Sequence, residues 1–145
     1  MHQSNPNNIT EILHSIVDYQ ANQIHHKLRD LGLNTQQARL LRYINEHPGA
    51  IQKDVAKYLN RQNATITNML KNMAAQKYIV RKIPDDNERQ KKIYLLPKGE
   101  KVINSIDHIF TDIETQANSV IPDDEKFTFT KQLMAIRKVF SEDKQ

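Results

Sequence analysis

The apolar residues of this chain come in narrow helical stripes. From Ile9 to Leu31 the stripe is Ile9, Leu13, Ile16, Val17, Ile24, Leu28 and Leu31, separated mostly by three- and four-residue steps, the period of an amphipathic helix. A second stripe follows Pro97, a residue tolerated in a helix's first turn, and runs through Val102, Ile106, Ile109, Phe110, Ile113 and Ala117. A third comprises Phe129, Leu133, Ile136, Val139 and Phe140. It follows Pro122-Asp123-Asp124-Glu125, whose carboxylates suit a helix N-terminus. With 38% hydrophobic residues and a mean hydropathy of −0.71, apolar surface is too scarce for a thick multilayer core. The 145 residues therefore predict one mainly helical unit rather than a large globular enzyme.

Between the stripes the pattern shortens. Gly32 ends the first helix as a left-handed cap, and Asn34 or Thr35 caps a second whose buried side is Ala38, Leu41 and Ile44, with Leu40 beside them. His47-Pro48-Gly49 stops that helix. A short segment from Gln52 to Leu59 follows, then the polar break Asn60-Arg61-Gln62-Asn63 and a further helix through about Gln76. On that helix Ile66, Met69, Leu70 and Met73 share one face. Ala64, Asn68, Lys71 and Ala75 lie opposite, flanked by Arg61, Thr65 and Asn72. No Asp or Glu occurs from Arg61 to Lys77. A solvated helix ordinarily mixes its charges, whereas a surface facing phosphates avoids carboxylates. After it, Tyr78 to Ile83 and Lys92 to Leu96 are β-branched and aromatic runs bracketing Pro84 to Lys91, which predicts a hairpin with a long charged tip.

Charge follows the same division. Residues 34–96 hold 12 Lys/Arg against 5 Asp/Glu, and the flanks 9 against 12, so the overall +4 belongs to the middle of the chain. The absence of cysteine removes disulfides, thiolate nucleophiles, Cys-ligated zinc and thiol redox switching. No Gly-rich phosphate loop, HExxH or nucleophile elbow is present, and the expectation is a protein that is not an enzyme and needs no cofactor. The segment Met1 to Asn8 has neither the basic region nor the apolar run of a signal peptide, and no stretch is apolar enough to span a bilayer, so a cytoplasmic, non-membrane protein is expected. His108 and Asp112 sit four residues apart, and His14, His25, His26 and His47 are scattered. Ordinary surface or interface histidines fit this better than a metal site.

The order helix, short helix, turn, helix, hairpin is that of a winged helix-turn-helix, with the acid-free helix in the recognition position. On these residues the chain resembles the MarR family of bacterial transcriptional regulators over nearly its whole length. Leu33-Asn34-Thr35-Gln36-Gln37 is similar to the family's Leu-Thr-x-x-Gln helix start. The segment from Gln52 to Leu59 is similar to the helix that follows, Asn63 to Met73 to its recognition helix, and the hairpin with Pro97-Lys98-Gly99 to its wing and exit. Departures are visible: the wing's usual Asp-Arg-Arg is Asn87-Glu88-Arg89, a customary Gly after the recognition helix is Lys77, and a Thr cap before the Gly99 helix is Leu96. The resemblance implies a lobe at about 34–96 that binds double-stranded DNA, within a single unit spanning 1–145. The helices at about 9–31 and 98–141 would join two copies into a homodimer.

Roles follow for individual residues. The resemblance makes Arg89 the wing arginine that enters the minor groove, where a narrow groove attracts Arg. Arg61, Asn63, Ala64, Thr65, Asn68, Lys71 and Asn72 form the recognition-helix surface. Asn68 can bind adenine bidentately, and Thr65 or Ala64 can touch a thymine methyl, which favours A·T-rich sequence. Lys53, Lys71, Lys91 and Lys92 are expected on phosphates. Family members often bind a small aromatic or phenolic effector between the dimer helices and the DNA-binding lobe. Ile12, Ile16, Tyr19 and Tyr43 are candidates there, although core packing explains them better, and no effector site is assigned. The competing reading is a helical module that binds an acidic protein, or an architectural protein that binds DNA without sequence preference.

Overall fold

Three of the helices end on the same device. In the computed structural model, which describes residues 8–84 and 90–142, α1 (Ile9–Asp30) closes with Gly32 N–H donating to Arg29 C=O and Leu33 N–H donating to Leu28 C=O. The helix α3 (Gln52–Leu59) closes the same way, with Asn60 bonded to Lys57 and Arg61 to Ala56. So does α4 (Asn63–Ala75), with Lys77 bonded to Ala74 and Tyr78 to Met73. Each is a Schellman pair, and each needs one left-handed residue. Gly32 (φ +75°), Asn60 (φ +52°) and Lys77 (φ +66°) supply it. Gly and Asn take that conformation readily, but a lysine carries the Cβ strain that glycine avoids. The family's glycine position is thus kept in shape although not in residue.

The second helix, α2 (Thr35–Glu46), is capped by Asn34 and not by Thr35. Asn34 Oδ1 accepts from Gln37 N–H at 2.8 Å, while Gln37 Oε1 accepts from Asn34 N–H at 3.0 Å. This reciprocal capping box fixes two otherwise orphaned donors. All four expected side chains, Ala38, Leu40, Leu41 and Ile44, are buried.

The hairpin is shorter than its hydrophobic runs suggested: β2 is Ile79–Lys82 and β3 is Lys92–Leu95, antiparallel, with Val80 opposite Tyr94 and Arg81 opposite Ile93. A third strand not anticipated from the sequence, β1 (Ala50–Ile51), pairs with β3 on its other edge, giving the order β1-β3-β2. Two residues are too few to show a period of two, and β1 exists because β3 offers an open edge. Gly49, at φ +84°, turns the chain into it and donates to Ile93 C=O at 2.9 Å.

By contacts the chain divides into two compact units, residues 1–110 and 111–145. The first holds the core: Leu28 and Leu33, the buried face of α2, Val55 and Leu59 of α3, Ile66, Leu70 and Met73 of α4, Tyr78 and Ile79, Ile93, and Ile103, Ile106 and Ile109 of α5 (Pro97–Ser119). Met69 packs against this cluster from its margin. Arg42 fastens α2 to α5 within the unit, lying 3.5 Å from Asp107 and over the Phe110 ring at 4.6 Å. The second unit contains the end of α5 and α6 (Asp123–Glu142), whose Phe127, Phe129, Met134, Val139 and Phe140 are all exposed in the single chain. Exposure likewise marks Ile9, Ile12, Ile16, Val17 and Tyr19 of α1.

Candidate nucleic-acid interface

The acid-free helix is α4, and its orientation is set by what it buries. Ile66, Leu70 and Met73 are fully enclosed, which turns Ala64, Thr65, Asn68, Lys71 and Asn72 to solvent, with Arg61 and Asn63 exposed at its start. All seven residues singled out from the sequence on this segment are exposed. Its pitch against α3 is held by a contact that sequence reasoning missed: Gln52 Nε2 donates to Thr67 Oγ1 at 2.7 Å and to Asn63 C=O at 3.3 Å, and Thr67 Oγ1 donates to the same carbonyl at 2.9 Å. Gln52 opens α3 and Thr67 lies mid-α4, so this bridge locks the two helices of the motif together. No spacing rule pairs residues on different helices, and nothing in the sequence marked it.

Beside α4 lies an open cleft of about 580 Å³ lined by Ile51, Gln52, Lys53, Asn63, Leu70, Arg81, Gln90, Lys91 and Ile93. The start of α3, the start of α4 and the two wing strands meet there. The space is many times the roughly 30 Å³ share of one water, room enough for a sugar-phosphate unit. Among the described residues that line it, the charged ones are Lys53, Arg81 and Lys91, all cations. Lys53 and Lys91 were expected; Arg81 was not. The available clue was strand alternation: Arg81 shares a strand face with buried Ile79, and pairs opposite buried Ile93, so its side chain leaves the core at the cleft's edge.

Lys92 is not brought to this cleft. It lines a separate recess with Lys82, Ile83, Pro84 and Tyr94, because neighbouring residues along a strand point to opposite faces. Arg89 lies outside the described residues, as do Asp85, Asp86, Asn87 and Glu88. Tyr43 is engaged within the lobe, stacked on Tyr58 at 4.6 Å and 4.5 Å from the His47 ring, with Arg39 over Tyr58 at 5.2 Å. His14 pairs with Asp18 at 3.7 Å on the exposed side of α1. Among the described residues no three metal-ligating side chains come together, and none of the helices is long and apolar enough to cross a membrane.

A three-stranded wing, two short helices locked at a fixed pitch and a carboxylate-free recognition face define a winged helix-turn-helix protein. The model of the MarR family matches residues 31–90. The HTH-type transcriptional regulator YybA of Bacillus subtilis is 30% identical over 118 residues, covering 81% of this chain and 78% of that protein. Among solved structures, MepR, a transcription regulator of the Staphylococcus aureus multidrug efflux pump MepA, superposes with a TM-score of 0.81 at 25% identity, covering 91% of this chain and 98% of its own. MepR bound to DNA gives 0.74 at 25% identity, with 90% and 97% covered. A MarR family regulator from Clostridium acetobutylicum gives 0.75 at 33% identity, with 90% and 96% covered. The chain belongs to the MarR family, and is a DNA-binding winged helix-turn-helix transcriptional regulator.

Proposed function

We propose that this regulator is a sequence-specific repressor that acts as a homodimer on a pseudo-palindromic operator, with half-sites about one helical turn apart, and is released by a small noncovalent effector. The observation that carries the DNA-reading part is the exposed face of α4: Ala64, Thr65, Asn68, Lys71 and Asn72 without one carboxylate. Asn68 reads adenine, and Thr65 or Ala64 contacts thymine methyls, favouring an A·T-rich half-site. Lys53, Lys71 and Lys91 meet phosphates, joined by Arg81, which shares its cleft with Lys53, Lys91 and Asn63, while Arg61 meets the backbone at the start of α4. Lys92 adds charge from the other wing face, and Arg89 enters the minor groove. The apolar side chains left exposed on α1 and on α6 support assembly with a second copy, since contiguous exposed apolar surface marks an interface. With no cysteine to oxidise, release has to come from differential binding of an effector to one dimer conformation. A place in the cytoplasm follows from this role.

Selection of bound sequences from a random duplex library, followed by titration of the winner against salt, tests the reading. The expected result is a palindromic A·T-rich site whose affinity falls steeply with salt. Asn68→Ala should relax base preference, whereas Arg89→Ala should weaken binding. Weak, salt-sensitive binding to every duplex with no enrichment would instead support the architectural alternative, and no DNA binding at all the protein-binding one.

A further inference from the structure

The carboxyl end of the recognition helix is held from a distant point in the chain. The Schellman pair at Lys77 and Tyr78 satisfies the carbonyls of Ala74 and Met73, which leaves the C-cap carbonyl of Gln76 among those a helix end must place elsewhere. Lys98, in the first turn of α5, donates its Nζ to that carbonyl at 3.0 Å and sits over the Tyr78 ring at 4.3 Å. A cation at this end also complements the helix dipole. The start of α5 is itself fixed against the same residues. Leu96 N–H donates to Tyr78 C=O at 2.9 Å, and Gly99 approaches so closely that a Cβ there would lie 2.3 Å from the Tyr78 oxygen. On the other side of Gln76, its side-chain Nε2 donates to Asn72 Oδ1. Asn72 is exposed on the recognition face.

From this chain of contacts we infer that Lys98 is a positioning residue for DNA reading: through Gln76 it fixes the last turn of α4 and the orientation of the Asn72 amide. With its oxygen engaged by Gln76, Asn72 presents its NH2 outward, and so acts as a donor toward the acceptor-bearing edges of guanine or thymine in the major groove. Asn68, for which no such bond exists among the described residues, keeps both halves of its amide for adenine. Lys98 touches no base in this account. It makes the outer base pair of each half-site legible by removing the freedom of the side chain that reads it, the familiar cost of an unordered contact. The inference rests on the DNA-reading role proposed above and deepens it.

The test uses the full-length protein and four variants: Lys98→Met, which keeps an unbranched side chain but removes both the donor and the charge over Tyr78, Lys98→Arg, which keeps a donor and the charge, Gln76→Ala and Asn72→Ala. Hydrogen exchange of the Lys77 and Tyr78 amides is measured without DNA, and base preference by library selection. The expected result is faster exchange in Lys98→Met alone, with Lys98→Arg and Gln76→Ala close to the parent. Preference at one outer base pair should fall about tenfold in Lys98→Met, Gln76→Ala and Asn72→Ala, with Lys98→Arg restoring it. The double variant Lys98→Met/Asn72→Ala should lose no more than Asn72→Ala alone. Unchanged exchange in Lys98→Met overturns the inference whatever the DNA data show. Loss of affinity spread evenly over all duplexes, with a shallower salt dependence, also overturns it and makes Lys98 an ordinary phosphate contact. If the parent enriches no sequence while exchange responds as expected, the cap stands, but the DNA-reading role falls and takes the positioning role with it.

Discussion

Two neighbouring positions at the end of the recognition helix break opposite rules. Lys77 stands at φ +66°, where glycine is preferred, and Gly99 stands where no Cβ fits because the Tyr78 carbonyl is in the way. Replacing Lys77 by Gly relieves left-handed strain and should raise unfolding stability by about 1 kcal/mol in a denaturant titration. Replacing Gly99 by Ala should lower it by about 1 to 3 kcal/mol, since the contact is with backbone that has to move. Sequence comparison with the family identified both sites, yet it could not tell that Lys77 would keep the glycine's conformation. That outcome depends on the start of α5 closing over this helix end, with Lys98 bonded to Gln76 C=O and Leu96 to Tyr78 C=O, a tertiary fact. In the second unit, Lys126 Nζ donates to Asp123 Oδ1 at 2.7 Å and holds that carboxyl below the ordinary carboxylate range. The small support it gives the start of α6 is present above the ordinary carboxylate midpoint and fades as pH falls through the lowered one. NMR titration of Asp123 should show the lowered midpoint, and Lys126→Met should restore the usual value.

At the scale of elements, the helices were legible because three- and four-residue apolar spacing and Gly, Asn or Pro punctuation act locally. The predicted span of Gln52 to Leu59 matches α3 residue for residue, and the exposed face of α4 follows from the positions of Ile66, Leu70 and Met73 alone. What depends on pairing was not legible. β1 is two residues defined by partners at Ile93 and Lys92, remote in the sequence, and the Gln52 to Thr67 bridge joins helices whose crossing no one-dimensional pattern reveals. Arg81 belongs with these, since its importance comes from the cleft that β2 and the starts of α3 and α4 enclose together. Its replacement by Ala should weaken binding to all duplexes alike, and reduce the slope of log affinity against log salt by about one, the signature of a lost phosphate contact. A change confined to one base position would place Arg81 among the residues that read sequence.

For the molecule as a whole, apolar surface and charge are segregated along the chain. Basic residues concentrate in 34–96, while the large exposed apolar side chains lie mainly on α1 and on α6. In the proposed homodimer these helices are interface, and Ile16→Asp on α1 should give a folded species of half the mass by sedimentation. Its affinity for a two-half-site operator should fall by roughly a hundredfold or more, because the second half-site loses its effective concentration. A variant that stays dimeric would put the interface elsewhere. The length of these stripes relative to the lobe was readable in the sequence; which partner they meet lies beyond a single chain's pattern.

The recognition face has one more consequence, in protons. Its side chains are amides, a hydroxyl, methyls, Arg61 and Lys71, and the described residues of the adjoining cleft add Gln, Asn, Lys and Arg to its apolar walls. Among the described residues neither holds a histidine or a carboxylate, the groups that ordinarily change charge between about pH 4 and pH 7. The reading surface thus carries the same charge in a mildly acidic cell as in an alkaline one. Operator affinity at fixed salt should stay flat from about pH 5.5 to 8.5; a clear slope across that window would point to titrating groups outside this surface that govern the grip on DNA.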